Sequence, residues 1–266
     1  MMRSYLILNI KSMNYLPLME RWLLQTHAAE TLSQNEMWLY RYVSYRAVPP
    51  PDGAEPYGCY NWRMTEHWWR EVPWVKGQMD HGSALVEQWP KDYNEILGLP
   101  KGGPARTAAW GGTPKGPHPP VFCFVPARPT EDFHGKGLTL ADGTILRWIV
   151  AVKYPEGVSA EEGDDWYVNV HAKEVCRQPG LKRFFSHKVC DPKIGPWVRV
   201  SEQWYENADA WRKAIIEEPP KYSKPPWGGH AKYPFLAPCV DFVSQFVLEA
   251  PTNDFKRNLG PYLVTS

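Results

Sequence analysis

Apolar residues recur along this chain at strand and helix spacings, in an order that occurs twice. Each round predicts an apolar strand, a helix with apolar residues three and four apart, two strands, a second helix and a last strand. The predicted strands are 5–10, 38–48, 58–69 and 121–127 in the first round, and 146–152, 181–190, 197–205 and 242–249 in the second. The predicted helices are one ending near His27, one over 81–97, one ending near His171 and one over 208–217. The order βαββαβ is therefore predicted twice.

Five short sequence matches indicate that the second round is a copy of the first. They keep the same order, and their offsets drift only between 117 and 144 residues. The matched segments are Trp22/His27-Ala28 with Trp166/His171-Ala172, 41–46 with 183–188, 64–69 with 200–205, 110–112 with 227–229, and 129–133 with 251–255. Because βαββαβ is the ferredoxin-like unit, we predict an α+β fold of two tandem ferredoxin-like halves. The predicted halves are 1–137 and 138–266, joined by a small hairpin over 138–145 that contains the turn signal Asp142-Gly143.

The strand over 58–69 carries large side chains on both of its faces. Alternation assigns one set to each face: Tyr60, Trp62, Met64 and Trp68, against His67 and Trp69. A strand without a polar face is buried on both sides. We therefore expect helices on one face of each sheet, and the two halves packed sheet against sheet.

This arrangement resembles the dimeric α+β barrel superfamily, here with both copies in one chain. A helix-end histidine followed by a small residue, at His27-Ala28 and His171-Ala172, is similar to EthD-domain proteins. The chain departs from a short EthD protein by its fused copies and its long Pro/Gly-rich loops. The resemblance implies an apolar pocket between the sheet and helices of one half. Relatives include polyketide cyclases, muconolactone isomerases, cofactor-free monooxygenases and haem-dependent enzymes, so the resemblance does not choose a reaction.

Composition narrows the classes of partner. With 30 Lys and Arg against 29 Asp and Glu, the chain has no charge excess that would attract nucleic acid or an anionic membrane. The apolar runs are too short to span a bilayer, and the N-terminus lacks the pattern of a signal peptide. Five scattered cysteines without a Cys-x-x-Cys pair are typical of reduced thiols, so we predict a cytoplasmic protein. The 14 Trp and 14 Tyr residues suit the walls of a site for a small hydrophobic or aromatic substrate.

His27 and His171 end equivalent predicted helices and are candidates for acid–base chemistry. A neutral imidazole there can serve as general base, because its ordinary pKa lies near working pH. The alternative is a structural histidine that hydrogen-bonds the helix end. Both interpretations fit the recurrence in the two halves.

Glu66 and its counterpart Glu202 are the second candidates. Among aromatic neighbours a carboxylate is desolvated, so we expect a raised pKa and a role as general acid. The alternative is a buried ion pair, of Glu66 with Arg41 and of Glu202 with Arg183.

The first half holds the fuller acid–base set, because Gln203 replaces His67 in the second half and His187 replaces Tyr45. Alternation with Arg41 suggests that the Tyr45 hydroxyl points into the same space as His27. The predicted catalytic residues are His27, Tyr45, Glu66 and His67. The predicted substrate-binding residues are Trp62, Trp68, Trp69 and Arg41. The second-half alternatives are His171, His187 and Glu202.

These residues favour a cofactor-free lyase, cyclase or isomerase acting on a small apolar oxygenated ring compound. The chain has no phosphate loop, no nucleophile elbow and no metal-binding motif, so no metal is predicted. Haem is an alternative, because one histidine suffices as axial ligand. A haem- or oxygen-dependent oxidoreductase and a non-catalytic ligand-binding protein are the competing hypotheses. Either a monomer or a homodimer agrees with the sequence.

Overall fold

Two antiparallel five-stranded sheets, each with helices on its outer face, form the protein in a computed structural model. The structure describes residues 1–35, 39–70, 121–137, 142–190, 196–228 and 240–257. Within these residues no helix is long and apolar enough to cross a membrane.

The first sheet has the strand order β10-β2-β3-β1-β4. Its strands are β1 Met2–Leu8, β2 Leu39–Arg46, β3 Arg63–Trp69, β4 Val121–Pro126 and β10 Asn253–Asp254. The first helix, α1, covers 16–35 as Leu16–Trp22, Leu23–His27 and Ala28–Asn35. Its apolar residues pack on the sheet because Met19, Trp22 and Leu23 share one cluster with sheet residues such as Tyr42 and Phe124.

The second sheet repeats this layout with the order β5-β7-β8-β6-β9. Its strands are β5 Glu131–His134, β6 Leu146–Lys153, β7 Arg183–Lys188, β8 Arg199–Tyr205 and β9 Asp241–Leu248. Helix α2 runs as Ala160–Trp166, Tyr167–His171 and Ala172–Val175, and helix α3 as Ala208–Arg212 and Lys213–Glu217. Ser159 caps α2, since its hydroxyl accepts a hydrogen bond from the Glu162 amide at 3.1 Å.

The two sheets exchange their outermost strands. β5 follows β4 in the chain but pairs with β7, and β10 follows β9 but pairs with β2. The exchange places Glu131 beside Arg199 and Asn253 beside Arg63, with shortest contacts of 2.6 and 2.9 Å. Each sheet is therefore completed by a strand from the other predicted half: β5 joins the second sheet and β10 joins the first. The boundary between residues 137 and 138 stays a prediction.

The inner faces of the sheets form a shared core. Ile7, Val43 and Met64 from the first sheet lie in one buried cluster with Ile149 and Val247 from the second. This packing confirms the predicted α+β fold, in which two ferredoxin-like sheets meet face to face as a dimeric α+β barrel within one chain.

Each long helix contains one wide, π-helical turn. In α1 it spans Leu23–His27 and in α2 Tyr167–His171. A π turn brings residues five apart into register, which explains why Trp22 and His27 stack, as do Trp166 and His171. The recurring spacing Trp-x4-His is thus the sequence signature of this turn.

Several predicted boundaries shift in the structure. The strand predicted over 58–69 begins only at Arg63, and Trp62, which was assigned to the face of Met64, packs in the helix-side core instead. The helix predicted over 208–217 is confirmed as α3. The predicted helix over 81–97, the segment 110–112 and most of the 138–145 hairpin lie outside the described residues.

Candidate active site

The predicted catalytic residues of the first half separate onto two faces of its sheet. Tyr45 and Glu66 lie on the inner face, which meets the second sheet. His67 and His27 lie on the outer face, where Tyr42 and Trp22 contact them. The expectation that Tyr45 points into the space of His27 is therefore wrong, because consecutive β2 residues alternate between the faces.

Glu66 and Glu202 belong to a buried ionic cluster between the sheets. Glu66 accepts hydrogen bonds from Arg3 at 2.8 Å and from Arg147 at 3.1 Å. Glu202 accepts two from Arg147, both at 2.9 Å. Two guanidinium groups and two carboxylates, contributed equally by the halves, thus neutralise one another across the interface.

Aromatic side chains complete this inner cluster. The Tyr5 hydroxyl donates to Glu202 at 2.7 Å, and the indoles of Trp68 and Trp204 donate to Glu66 at 3.1 Å and to Glu202 at 2.8 Å. Arg147 also lies over the Tyr45 ring, 4.7 Å from its centroid. Every carboxylate in the cluster centre is saturated with donors, which is the arrangement of a structural site.

The pKa values of groups in the inner cluster agree with a structural role. Burial by itself raises the pKa of Glu202, but Arg147 and Arg3, with hydrogen bonds from Tyr5 and Trp204, lower the pKa to about 2. The expected raised pKa of a general acid is therefore wrong for Glu202. Burial raises the pKa of Tyr45 to about 12, so its hydroxyl stays protonated.

The proposed arginine partners of these carboxylates are also wrong. Arg41 lies 3.9 Å from Asp254, and Arg183 donates to Asp132, with a shortest contact of 2.5 Å. Both pairs hold the exchanged strands β10 and β5 rather than a ligand. The actual partners, Arg3 and Arg147, stand at equivalent places in β1 and β6.

His27 is the candidate base on the outer face of the first sheet. Its ring stacks on Trp22 with 4.6 Å between centroids and an interplanar angle of 22°. Surrounding protein lowers the pKa of His27 to about 4, while part of the side chain remains exposed. The imidazole is therefore neutral at pH 7, in a residue that is only partly buried although its Nδ1 atom is buried.

His67 lies on the same outer face and is joined to two polar side chains. Its Nδ1 is 3.2 Å from the Ser4 hydroxyl, and the Trp69 indole donates to that hydroxyl at 3.3 Å. The Tyr42 ring meets His67 edge-on at 4.4 Å. Trp22 thus packs on His27, and Tyr42 and Trp69 pack on His67, with all three rings buried.

A second ionic cluster anchors the outer side. Glu20 of α1 accepts from Arg63 at 2.6 and 2.7 Å, from Arg46 at 2.7 Å and from the Trp62 indole at 2.9 Å. Burial raises the pKa of Glu20, but these donors lower it to about 2. The predicted substrate-binding residue Trp62 is fully buried in this contact, which fixes α1 to the sheet just before the His27 turn.

In the second half, aromatic rings pack around the position that corresponds to Ser4. Trp148 stands where the first half has Ser4, and it stacks on Phe246 with centroids 5.7 Å apart. Trp211 and Tyr57 meet Trp148 edge-on at 5.5 and 5.2 Å. Tyr57 comes from the first half, so a residue of one half completes the aromatic packing of the other half.

His171, the counterpart of His27, is enclosed by this packing. Its side chain is 2% exposed, and the rings of Trp166, Tyr167 and Tyr222 surround it at 5.3, 4.7 and 6.4 Å. Burial lowers the pKa of His171 to about 3. This environment is that of a core histidine.

The remaining second-half candidate, His187, faces the inner cluster. It is fully buried, 5.9 Å from the Tyr5 ring and 5.4 Å from the Phe185 ring. Burial, followed by the charge of Arg3, lowers the pKa of His187 to about 4. His187 therefore lies with Glu202 at the inner cluster, whereas His171 lies apart from both, in the helix-side core.

In the part of the chain that the structure describes, few positions could hold a cofactor. Within the described ranges, no group of three or more His, Cys, Asp or Glu side chains is placed to hold a metal ion. In the first half, His27 would be the residue to hold a haem iron, since this residue is only partly buried. The ring-filled space beside His171 does not fit a haem.

Comparisons with known proteins give one partial family match. The model of the chalcone isomerase N-terminal domain matches residues 1–102, which is less than half of the chain. No curated protein sequence matches this chain. The similarity to EthD proteins is not confirmed at the level of that family.

Solved structures resemble the chain only distantly. An anthrone oxidase-like protein shares 10% identity with a TM-score of 0.48, covering 95% of this chain and 91% of its own. Chlorite dismutase from Candidatus Nitrospira defluvii, in complex with imidazole, shares 8% with a TM-score of 0.45, covering 98% and 94%. An EthD family protein from Bacillus halodurans C-125 shares 17% with a TM-score of 0.28, covering 38% and 95%.

Sequence reasoning missed Arg3, Arg147 and Ser4. The two arginines had a usable signal, because an arginine within an apolar strand recurs at the same register in both halves. Ser4 had none beyond its position in β1, since its role depends on contacts with a distant strand.

Proposed function

We propose that the protein is a cofactor-free isomerase that performs acid–base chemistry on a small oxygenated aromatic compound. The site is the outer face of the first sheet, with His27 as general base and His67 as the second polar group. Trp22, Tyr42 and Trp69 supply its aromatic surfaces. The observation that carries the proposal is the asymmetry between His27, which is partly exposed, and its counterpart His171, which is sealed.

The protonation state of His27 supports this role. Its pKa, lowered to about 4 by burial, keeps the imidazole neutral over the neutral pH range. A neutral imidazole can accept a proton, whereas an imidazolium cannot. Glu66 and Tyr45 are excluded from this site by their position in the inner cluster.

The partial family match favours a chalcone-type substrate, an enone between two aryl rings. In its ring closure a phenol loses its proton to His27, and the phenol oxygen forms a bond to the β-carbon. The carbon–carbon double bond becomes an enolate, and its α-carbon then takes a proton back. One C–O bond forms, one proton moves, and no oxidant or reductant is consumed. The reaction thus requires only a positioned base and donors for the enolate oxygen.

The assay follows the loss of enone absorbance of a chalcone that carries a hydroxyl ortho to its ketone. We expect His27→Phe to lower turnover by roughly a hundredfold or more, the usual worth of a positioned acid–base group. His171→Phe is the matched control, because it places the same ring on the equivalent tryptophan and should keep turnover. Both variants should retain the thermal midpoint within a few degrees.

Normal turnover by His27→Phe would exclude His27 as the base. Absorption spectra of protein purified from its own host test the haem alternative, which requires a Soret band that His27→Phe removes. Tight binding of the chalcone without turnover would support the third hypothesis, a non-catalytic binding protein.

A further inference from the structure

The ionic cluster between the sheets has two ends, and the end at Arg147 is fully paired. Nε and Nη2 of Arg147 both donate to Glu202 at 2.9 Å, and Nη2 also donates to Glu66 at 3.1 Å. Its remaining nitrogen, Nη1, lies 3.2 Å from the carboxylate of Glu249. Every nitrogen of this guanidinium therefore has a carboxylate partner, and Glu249 supplies the outermost one.

Arg3, the counterpart of Arg147 in β1, is paired less completely. Its Nη2 donates to Glu66 at 2.8 Å and to the Tyr5 hydroxyl. Among the described residues, its Nε is buried without a hydrogen-bond partner, although the side chain as a whole is only 9% exposed. Buried polar groups are almost always hydrogen-bonded, so an exception of this kind indicates a partner that the chain itself does not supply.

The difference between the two ends comes from one substitution between the halves. The backbone N–H of Glu249 donates to the Ile145 carbonyl at 2.9 Å, and that of Ala127 donates to the Met1 carbonyl at 3.2 Å. Since Ile145 and Met1 each lie two residues before the arginine of their half, Ala127 occupies the position of Glu249. A methyl group at this position cannot pair with a guanidinium, so the Arg3 end lacks the outermost carboxylate of the Arg147 end.

The next residue along the chain adds a difference in charge. Ala127-Arg128 in the first half corresponds to Glu249-Ala250 in the second, so one end gains an exposed cation and the other an acidic residue. The two arginines and two glutamates at the centre of the cluster balance one another. The cluster therefore has a positive end at Arg3 and a negative end at Glu249. The central glutamates repel an anion at either end, and Arg128 offsets that repulsion at the Arg3 end only.

We propose that Arg3 binds the carboxylate of a small aryl acid, at the place that Glu249 takes beside Arg147. A charge-assisted hydrogen bond between guanidinium and carboxylate is stronger than a neutral one. The aryl group is favoured by Trp68, whose ring centroid lies 4.4 Å from the guanidinium carbon of Arg3 and whose side chain is partly exposed. This site is on the inner face of the first sheet, so it is separate from the proposed site at His27 and does not rest on it.

The test is a calorimetric titration of the full-length protein with benzoate at constant ionic strength, with benzamide as the uncharged match. We expect benzoate to bind at least about tenfold more tightly than benzamide, because only the carboxylate makes a charge-assisted bond. Ala127→Glu supplies an internal carboxylate to Arg3, so it should weaken benzoate binding by about tenfold or more and raise the thermal midpoint. Ala127→Gln is the matched control: it adds a side chain of the same size without charge, and it should weaken benzoate binding less and leave the midpoint unraised.

Equal affinity for benzoate and benzamide, or no binding of either, overturns the inference on the unmodified protein, whether or not any variant folds. Unchanged benzoate affinity in Ala127→Glu also overturns it. An equal loss of affinity in the Glu and Gln variants would show that space and not charge decides, which contradicts the pairing with Arg3. His27→Phe separates this site from the outer one: it should leave benzoate affinity unchanged, and a loss there would place the acid at His27 instead.

Discussion

Replacing Glu202 by Gln should destabilise the protein because it leaves a buried arginine partly unbalanced. Glu202 is fully buried and accepts hydrogen bonds from Arg147, Tyr5 and Trp204. The amide keeps the shape of the side chain but removes its charge. Breaking a buried ion pair from one side costs about 3 to 5 kcal/mol.

The pKa of Glu202 gives a second measure of the same interaction. Its value falls from 4.5 to about 2 in the folded protein. At about 1.4 kcal/mol for each pKa unit, this difference is worth about 3 kcal/mol of stability at neutral pH. Because the folded pKa is the lower one, this stability is fully present above pH 4.5 and is lost as pH falls towards 2.

Urea denaturation at a series of pH values measures both effects. We expect Glu202→Gln to lower the free energy of unfolding by about 3 kcal/mol at pH 7, and the thermal midpoint by roughly 10 °C. The difference from the unmodified protein should shrink as pH falls below 4.5. Glu249→Gln is the matched control, because Glu249 also contacts Arg147, at 3.2 Å, but its side chain is 40% exposed. It should cost less than about 1 kcal/mol.

Two results would refute this reasoning. A difference that stays constant with pH would show that the loss is one of packing and not of charge. An equal effect of both variants would show that burial of Glu202 adds nothing.

Three further outcomes follow from the outer site and the inner cluster. Turnover should be flat at neutral pH and fall as pH drops towards about 4, where His27 gains its proton; the pH–rate profile measures this. Ser4→Trp should abolish ligand binding in a calorimetric titration, while Trp148→Ser should cost about 3 to 5 kcal/mol in urea denaturation, as for other large core truncations. His187 has a folded pKa of about 4 against 6.5, so its contribution to stability is lost as pH falls from 6.5 to 4; His187→Phe should reduce the slope of the unfolding free energy against pH in that range.

The order of the described elements was predictable from sequence because strand and helix periodicities are local. Apolar spacing located the strands and α3 to within a few residues. The face of the sheet on which each side chain lies was less predictable. Trp62 was placed with Met64 by strict alternation, but the strand starts at Arg63, and the chain before it turns towards Glu20.

The chemistry of Glu66 was not predictable for a different reason. Its donors are Arg3, 63 residues away, and Arg147, 81 residues away in the other half. Local pattern shows that a carboxylate lies among aromatic residues, but it does not show which cation reaches it across a sheet interface. For Glu202 the prediction of a raised pKa failed at the equivalent step, because it counted desolvation and omitted Arg147 and Arg3.

Comparison of the two halves separates structural residues from functional ones within a single chain. The pairs that hold the sheets recur in both: Arg63 with Glu20 corresponds to Arg199 with Asp164, whose shortest contact is 2.6 Å in each half. A contact needed by both copies of a fold is kept in both. Ser4 and its counterpart Trp148 are an exception, because the two residues differ in kind. On the outer face of the second half Trp148 packs among aromatic rings, whereas in the first half Ser4 contacts the polar group of His67. Since packing alone would favour the ring, the polar version has a cost in stability, and the ligand binding that we propose is a gain that would explain its presence in only one half.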